Sequence, residues 1–323
     1  MISRENGLIR RVLFQAFKII ISGILIGYLL RRIGMGNVIE HLQSADVSWL
    51  CGATVLFTAS LFIGSCQWWI LLKSEGIEIN WKKTVSFYFV GLFFNNFLIS
   101  GLGGDLFRMI DIKRYSKNGT SAVSSVFLDR FMGLFVLSGM AVFAIPWILI
   151  RGGSLFQLWF PLVFLTAGWI LILLFLFNSA FAGLLKRLLQ KITPKKISAH
   201  VQEIYQKIWQ FGRKRHLLIQ VGILSIIIQS ARIMTHYCLG RSLGIMLSPL
   251  YFFLLIPLIA VMASLPVSVG GLGIREQSGV VLFGLLGVHT IQAFTMEALA
   301  YLFAVVLSLP GGLIFMVRKK VGR

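Results

Sequence analysis

The sequence predicts an all-α polytopic integral membrane protein. It is expected to have about six full transmembrane helices plus two Gly-rich re-entrant elements, where simple counting of apolar runs gives about eight spans. Three observations predict this fold. The 323 residues are 57% hydrophobic with a mean hydropathy of +0.84, and 13% are charged, against about 25% in soluble domains. Apolar runs of membrane length recur along the whole chain, which favours a helical bundle over a barrel of short alternating strands. The basic residues gather on one side of the membrane once two apolar segments are allowed to turn back.

Taken in order, the first run extends from Val12 to Leu30, behind Arg4, Arg10 and Arg11. Arg31-Arg32 follows it instead of a small-residue cleavage site, so it is expected to stay as a span. Further full spans are expected at 49–72, 120–150, 155–178, 217–240 and 291–317. If the segments at 85–101 and 249–288 also crossed, the basic loops at 102–119 and 179–216 would face outwards. Lys and Arg favour cytoplasmic loops, so that arrangement is rejected. Instead, 85–104 is expected to enter from the cytoplasm and turn at SGLGG, and 249–288 to enter from outside and turn at VGGLG. Both termini are then cytoplasmic. Arg31, Arg32, Arg151 and Arg241 lie outside, and Arg130, Arg232 and Arg275 stay within the membrane. The chain reads as one multi-pass transmembrane domain, 1–323, of the cell inner (plasma) membrane, with 179–216 as a basic cytoplasmic loop within it.

The two turns share the spacing Gly-Gly-x-x-x-Arg, at Gly103 to Arg108 and Gly270 to Arg275. Glycine permits a sharp turn, and the free N–H groups of the helix that follows can hold an anion. Non-helical backbone at membrane depth is tolerated only inside protein or beside a wet cavity. Two such elements from opposite faces are the arrangement of transporters with inverted repeats. The competing reading gives the glycines to close helix packing. The charges pose a parallel choice. Arg130, Arg232 and Arg275 stand in apolar surroundings against Asp129, Glu276 and Glu297. They either pair to hold the bundle or bind a ligand, and arginines beside glycine turns suit a phosphate. Gln229, Arg232 and His236 form one polar stripe along their helix, with His236 expected to act as a hydrogen-bond partner.

Other functions find little support. A net charge of +20 spread over many short loops suits anionic lipid headgroups better than nucleic acid, which is not expected as a partner. Cys51, Cys66 and Cys238 have no metal or redox spacing and read as packing residues. No hydrolase, P-loop or metalloprotease motif is present, so no catalytic residue, metal or cofactor is expected, nor enzymatic activity. Glu40 and Asp46, in an expected outer loop, supply the basis for one alternative, a membrane glycosyltransferase.

"GGDLFRMIDIKR" followed by "SAVSSVFLDRFMGL" resembles the Gly-Asp/Glu-x-x-Arg and Glu/Asp-Arg pattern of the lysylphosphatidylglycerol synthase transmembrane family. "ASLPVSVGGLGIREQSGVVLFGLLGV" resembles its second signature, Pro-x-Ser-x-Gly-Gly-Leu-Gly-x-Arg-Glu. The similarity extends over about residues 10 to 317, and the second motif is the more specific. The family's domain is flippase-like and occurs both alone and at the N-terminus of enzymes that make and export lysyl-phosphatidylglycerol. Asp105, Arg108, Asp129, Arg130, Gly270, Gly271, Gly273, Arg275 and Glu276 match the family pattern. Together with Arg232 they form the expected site for a lipid headgroup. Two departures stand out. The sequence stops at Arg323 with no soluble aminoacyl-transferase domain, so synthesis of lysyl-phosphatidylglycerol is not expected. The last helix also lacks an arginine that many relatives carry, which leaves Glu297 without the expected basic neighbour.

The expected function is therefore movement between leaflets of a lipid with an anionic or zwitterionic, phosphate-containing headgroup. The alternatives are a non-transporting partner that presents lipid to a separate lipid-modifying enzyme, and the glycosyltransferase. A homo-oligomer is compatible with either role.

Overall fold

The computed structural model describes residues 43–97, 103–150, 166–170, 214–264 and 271–318, with a few single positions elsewhere. The expected first span at 12–30, most of 155–178 and nearly all of the basic 179–216 loop lie outside the described residues. So do Gly270 and the segments 98–102 and 265–270.

Among the described residues the elements are α1 (Val47–Ser74), α2 (Trp81–Phe97), α3 (Gly103–Ser116), α4 (Gly119–Ile150), α5 (Arg215–Ser242), α6 (Pro249–Ser264), α7 (Ile274–Gly284) and α8 (Thr290–Val317). Length divides them into two kinds. Helices α1, α4, α5 and α8 are apolar helices of 28 to 32 residues. At 1.5 Å per residue they reach about 42–48 Å, beyond the roughly 30 Å of a hydrocarbon core. Helices α2, α3, α6 and α7 are described over 17, 14, 16 and 11 residues, short of the roughly 20 of a typical crossing helix. They pack as two hairpins, α2 on α3 and α6 on α7.

Each hairpin enters and leaves at one end of the bundle, and the two use opposite ends. At the first end, the Lys214 ammonium donates to the Ser74 carbonyl at 2.9 Å and the Ser124 hydroxyl to the Glu75 carboxylate at 3.2 Å. The C-terminus of α1 thus meets the N-termini of α4 and α5. Helix α2 begins there, α3 ends there, and Arg318 beyond α8 pairs with Asp111 of α3 at 2.6 Å. At the second end, the Gln292 side-chain amide donates to the Leu243 carbonyl at 2.9 Å, and the Asp46 N–H to Ser242 at 3.0 Å. Helix α6 begins there and α7 ends there. Lys73, Lys82, Lys83, Lys113, Arg114, Lys117, Lys214 and Arg215 all belong to the first end, whereas Arg241 lies at the second.

Small residues set the closest approaches. Gly91 of α2 and Gly104 of α3 abut, so that a Cβ on Gly104 would overlap the Gly91 carbonyl. On its other side α2 lies against α8, where a Cβ on Gly311 would overlap the Phe89 carbonyl. This is the close-packing use of glycine in membrane helices. The expected span at 155–178 contributes helical residues 166–170, whose Trp169 packs edge-on against Phe131 and Phe135 of α4.

Candidate functional site

Charged side chains gather in two clusters, one at each hairpin. In the first, Asp105 and Arg108 of α3 meet Asp129 and Arg130 of α4. Arg108 donates to Asp129 at 2.8 Å and lies 3.5 Å from Asp105. Arg130 Nε donates to the other Asp105 oxygen at 2.8 Å. The second Asp129 oxygen accepts from the Gln67 amide at 3.0 Å, and the Gln67 carbonyl accepts from the Ser225 hydroxyl at 2.8 Å. The Arg108 guanidinium also lies 4.1 Å from the Trp68 ring centroid and 4.9 Å from that of Tyr88.

Two arginines and two aspartates balance to zero, and one network ties the first hairpin to α1, α4 and α5. Arg108 follows basic-loop logic in the sequence, yet it is 5% exposed and belongs to this network. Burying a guanidinium requires partners in hydrogen-bond geometry, which the carboxylates and aromatic faces provide. Arg130 is different, with its side chain 48% exposed.

The second cluster joins α5, α7 and α8. Gly271 and Gly273 have φ of +81° and +83°, a left-handed conformation that side chains other than glycine rarely adopt. They turn the chain into α7, where the Glu276 carboxylate accepts from the Gly273 N–H at 2.6 Å. One orphan donor of the helix start is thereby held by the helix's own acid. Arg275, the next residue back, makes no ion pair or hydrogen bond among the described residues. It lies within electrostatic range of His236, Glu297 and Tyr301. Arg232 of α5 likewise has no carboxylate partner among the described residues, and its buried Nε makes no hydrogen bond.

Glu297 is fully buried, and among the described residues neither of its carboxylate oxygens receives a hydrogen bond. Its neighbour is His236, with Nε2 3.9 Å from a carboxylate oxygen. One turn along α8, the Tyr301 hydroxyl points to the Asn96 carbonyl at 3.4 Å, near the tip of the first hairpin. The described ends of both hairpins, at Asn96 and at Arg275, thus lie near Tyr301 of α8, about 17 Å from its N-terminal end at the helical rise.

The structure therefore divides the residues singled out by sequence. Asp105, Arg108, Asp129 and Arg130 form one group. Arg232, Gly271, Gly273, Arg275 and Glu276 belong to the other, and Gly270 lies outside the described residues. Gln67, Ser225, Trp68 and Tyr88 were not foreseen as partners of Arg108 and Asp129. Gln67 could have been suspected, since an amide in an apolar span needs a partner. Asp46, a basis of the glycosyltransferase alternative, accepts from the Ser48 N–H at 2.8 Å and caps α1. Among the described residues, no three His, Cys, Asp or Glu side chains gather to hold a metal.

Four long apolar helices and two opposed hairpins with charged clusters define a multi-pass helical membrane protein. Known proteins also place it among membrane proteins. The chain belongs to the family described as the lysylphosphatidylglycerol synthase TM region, whose family model matches residues 15–312. It is also similar to the UPF0104 membrane protein PH1989 of Pyrococcus horikoshii. That likeness is 26% identity over 332 residues, 94% of this chain and 97% of the relative.

Proposed function

We propose that this chain moves a lipid with a phosphate-bearing headgroup between the leaflets of the cell membrane, with its basic end cytoplasmic. The observation that carries the reading is the pair Arg232 and Arg275. Arg275 follows the glycine turn and lies within electrostatic range of the buried Glu297, Arg232 stands one helical turn from His236 on α5, and neither has a carboxylate partner among the described residues. An arginine in the bilayer costs about 2.5–3.5 kcal/mol on insertion scales, and a phosphate would relieve that cost through paired N–H donors. The convergence of the described hairpin ends near Tyr301 supports a midplane position for the headgroup, as in other transporters with opposed half-helices. In this reading the protein performs no bond-making chemistry, and the charge-balanced first cluster supports the bundle.

The test is movement of labelled phosphatidylglycerol across vesicles containing the purified protein. Arg275→Gln and Arg232→Gln should each slow movement by roughly tenfold, the worth of one charge-assisted hydrogen bond, while the protein still inserts. Arg275→Lys should rescue in part, because lysine keeps the charge without the planar fork. Movement indifferent to both neutral substitutions would refute the assignment. Binding without movement would favour the lipid-presenting role.

A further inference from the structure

The Glu297 and His236 pair poses a proton-counting problem that the headgroup reading leaves unused. His236 Nδ1 lies 3.0 Å from the Arg232 carbonyl oxygen. A carbonyl only accepts, so Nδ1 carries a hydrogen. In the neutral ring Nε2 is then a bare lone pair, and it faces a Glu297 carboxylate oxygen 3.9 Å away. An ionised carboxylate is also only an acceptor. Two acceptors facing each other, one of them on a fully buried acid, is costly, and one added proton, on either side, turns the repulsion into a hydrogen bond. Closing the gap to bonding distance takes about 1 Å of side-chain movement.

The surroundings are shaped for this carboxyl group. A Cβ at Gly279 of α7 would come within 2.6 Å of Glu297 Cγ, so the glycine leaves the space that the acid occupies. No described group donates to either Glu297 oxygen. The depths also agree. Glu297 is seven residues beyond the start of α8 and His236 six before the end of α5, each about 10 Å from the same end of the bundle.

We infer that Glu297 and His236 hold a single proton between them, and that this proton decides whether Arg275 is free to take an anionic headgroup. The charged and titratable groups facing the pair come from three packed elements. Helix α7 brings Arg275 and Glu276, while Arg232 on α5 and Tyr301 on α8 each stand one helical turn along from His236 and Glu297. Helix α2 contributes only the neutral Asn96 here, since Lys82, Lys83 and Tyr88 lie towards its opposite end. Glu276 is engaged with the Gly273 N–H. The acid left for Arg275 is therefore Glu297. With the proton present, the Glu297 and His236 pair is neutral overall and does not compete for Arg275. When the proton leaves, Glu297 becomes anionic and competes with a phosphate for Arg275. Lipid and proton then bind together, which would let a proton gradient drive lipid movement. By reciprocity, an anionic lipid must tighten the hold on the proton as much as the proton tightens the hold on the lipid.

This rests on the headgroup reading for the lipid, but the proton can be read without it. The experiment is an infrared titration of the full chain in detergent, from about pH 5 to about pH 9, following the protonated-carboxyl band and isotope-labelled histidine ring bands. The carboxyl band should disappear as pH rises, with the imidazole bands changing in step and one proton released in all. Glu297→Gln should remove the band, and the labelled histidine reads the same proton with no substitution. Short-chain phosphatidylglycerol should move the midpoint up by about one pH unit, matching lipid affinity roughly tenfold tighter at low pH. In Glu297→Gln that affinity should be high and independent of pH. A Glu297 ionised throughout the range, or a midpoint unmoved by lipid that binds through Arg275, would overturn the inference. Lipid binding indifferent to Arg275→Gln would fell the headgroup reading instead, and the wild-type titration would still decide the shared proton.

Discussion

In the first hairpin, Gly-Gly-x-x-x-Arg lies wholly inside a helix; in the second, the same spacing straddles a turn. Gly103 and Gly104 both lie within helix α3 with Arg108, which reaches Asp129 at 2.8 Å. Helix α7 begins only at Ile274, after Gly271 and Gly273 have turned with positive φ, so Arg275 is its second residue and meets no carboxylate. The third residue of each short helix is an acid, and here too the uses differ. Asp105 reaches across to Arg130 on α4, whereas Glu276 folds back on its own Gly273 N–H. One hairpin is closed by ion pairs and the other keeps an open arginine beside an open acid, Glu297. Equal spacing along the chain therefore does not imply equal function. Whether the glycines lie in the helix or in the turn decides what the arginine faces.

The largest contrast between the hairpins is all-or-none and concerns their sides. Cysteines placed at Lys117, just beyond the first hairpin, and at His289, just beyond the second, should react from opposite faces of the membrane. In cells lacking Cys51, Cys66 and Cys238, an impermeant thiol reagent added outside should label the His289→Cys protein and spare Lys117→Cys. Labelling of both from one face would break the opposed arrangement of the hairpins.

Next in size is the energetic difference between Arg108 and Arg275. Removing one partner of a buried, hydrogen-bonded ion pair costs about 3–5 kcal/mol, because the other charge is left stranded. Arg108→Met should therefore lower thermal stability in detergent sharply, and Arg108→Met with Asp129→Leu should recover much of the loss. Arg275→Met strands no direct ion-pair partner and should leave stability within about 0.5 kcal/mol, or raise it. Equal losses at the two arginines would erase the distinction between a closed and an open cluster.

How much of this could be read in the sequence varies with the distance along the chain. The two hairpins are legible because a charge rule acts locally: Lys113, Arg114 and Lys117 place one loop on the side shared with other basic segments. The turn at Gly271 and Gly273 is legible because glycine alone is at ease with the backbone found there. The choice between paired and free arginines is not legible. It depends on Gln67 meeting Asp129 across 62 residues and Ser225 meeting Gln67 across 158, contacts that no spacing encodes. The close approach of Gly104 to Gly91 is hidden for the same reason, since Gly104 alone reads as a turn and Gly91 as part of an apolar run.

That approach gives a third comparison, of intermediate size. A leucine at Gly104 would have to displace the Gly91 carbonyl of α2, whereas a Cβ at Gly139 of α4 meets open space. Overpacking typically costs about 1–3 kcal/mol and more where backbone is the obstacle. Gly104→Leu should thus destabilise the protein clearly in a detergent melt, with Gly139→Leu near neutral. Gly271→Leu adds backbone strain to a contact with the Ala263 carbonyl at 2.9 Å, and should disturb the open cluster more than the closed one.

The smallest expected effect concerns the two acids at the third helical position. Glu276 accepts from the Gly273 N–H, the same kind of contact as the reciprocal half of a capping box, and it also places a negative charge at the positive end of α7. Glu276→Gln keeps an acceptor oxygen and removes only the charge, so the loss should be a few tenths to about 1 kcal/mol. Glu276→Ala removes the acceptor too and should cost about 0.5–2 kcal/mol, the range seen for lost caps. Asp105→Asn, the counterpart in the first hairpin, breaks the balance with Arg130 and Arg108 and should cost more than Glu276→Gln. The order Asp105→Asn above Glu276→Ala above Glu276→Gln follows from one acid serving neighbouring helices and the other serving its own. If Glu276→Gln proved the most damaging of the three, Glu276 would be a partner of Arg275 in function as well as a cap. The second cluster would then resemble the first, and its arginine would no longer be the open one.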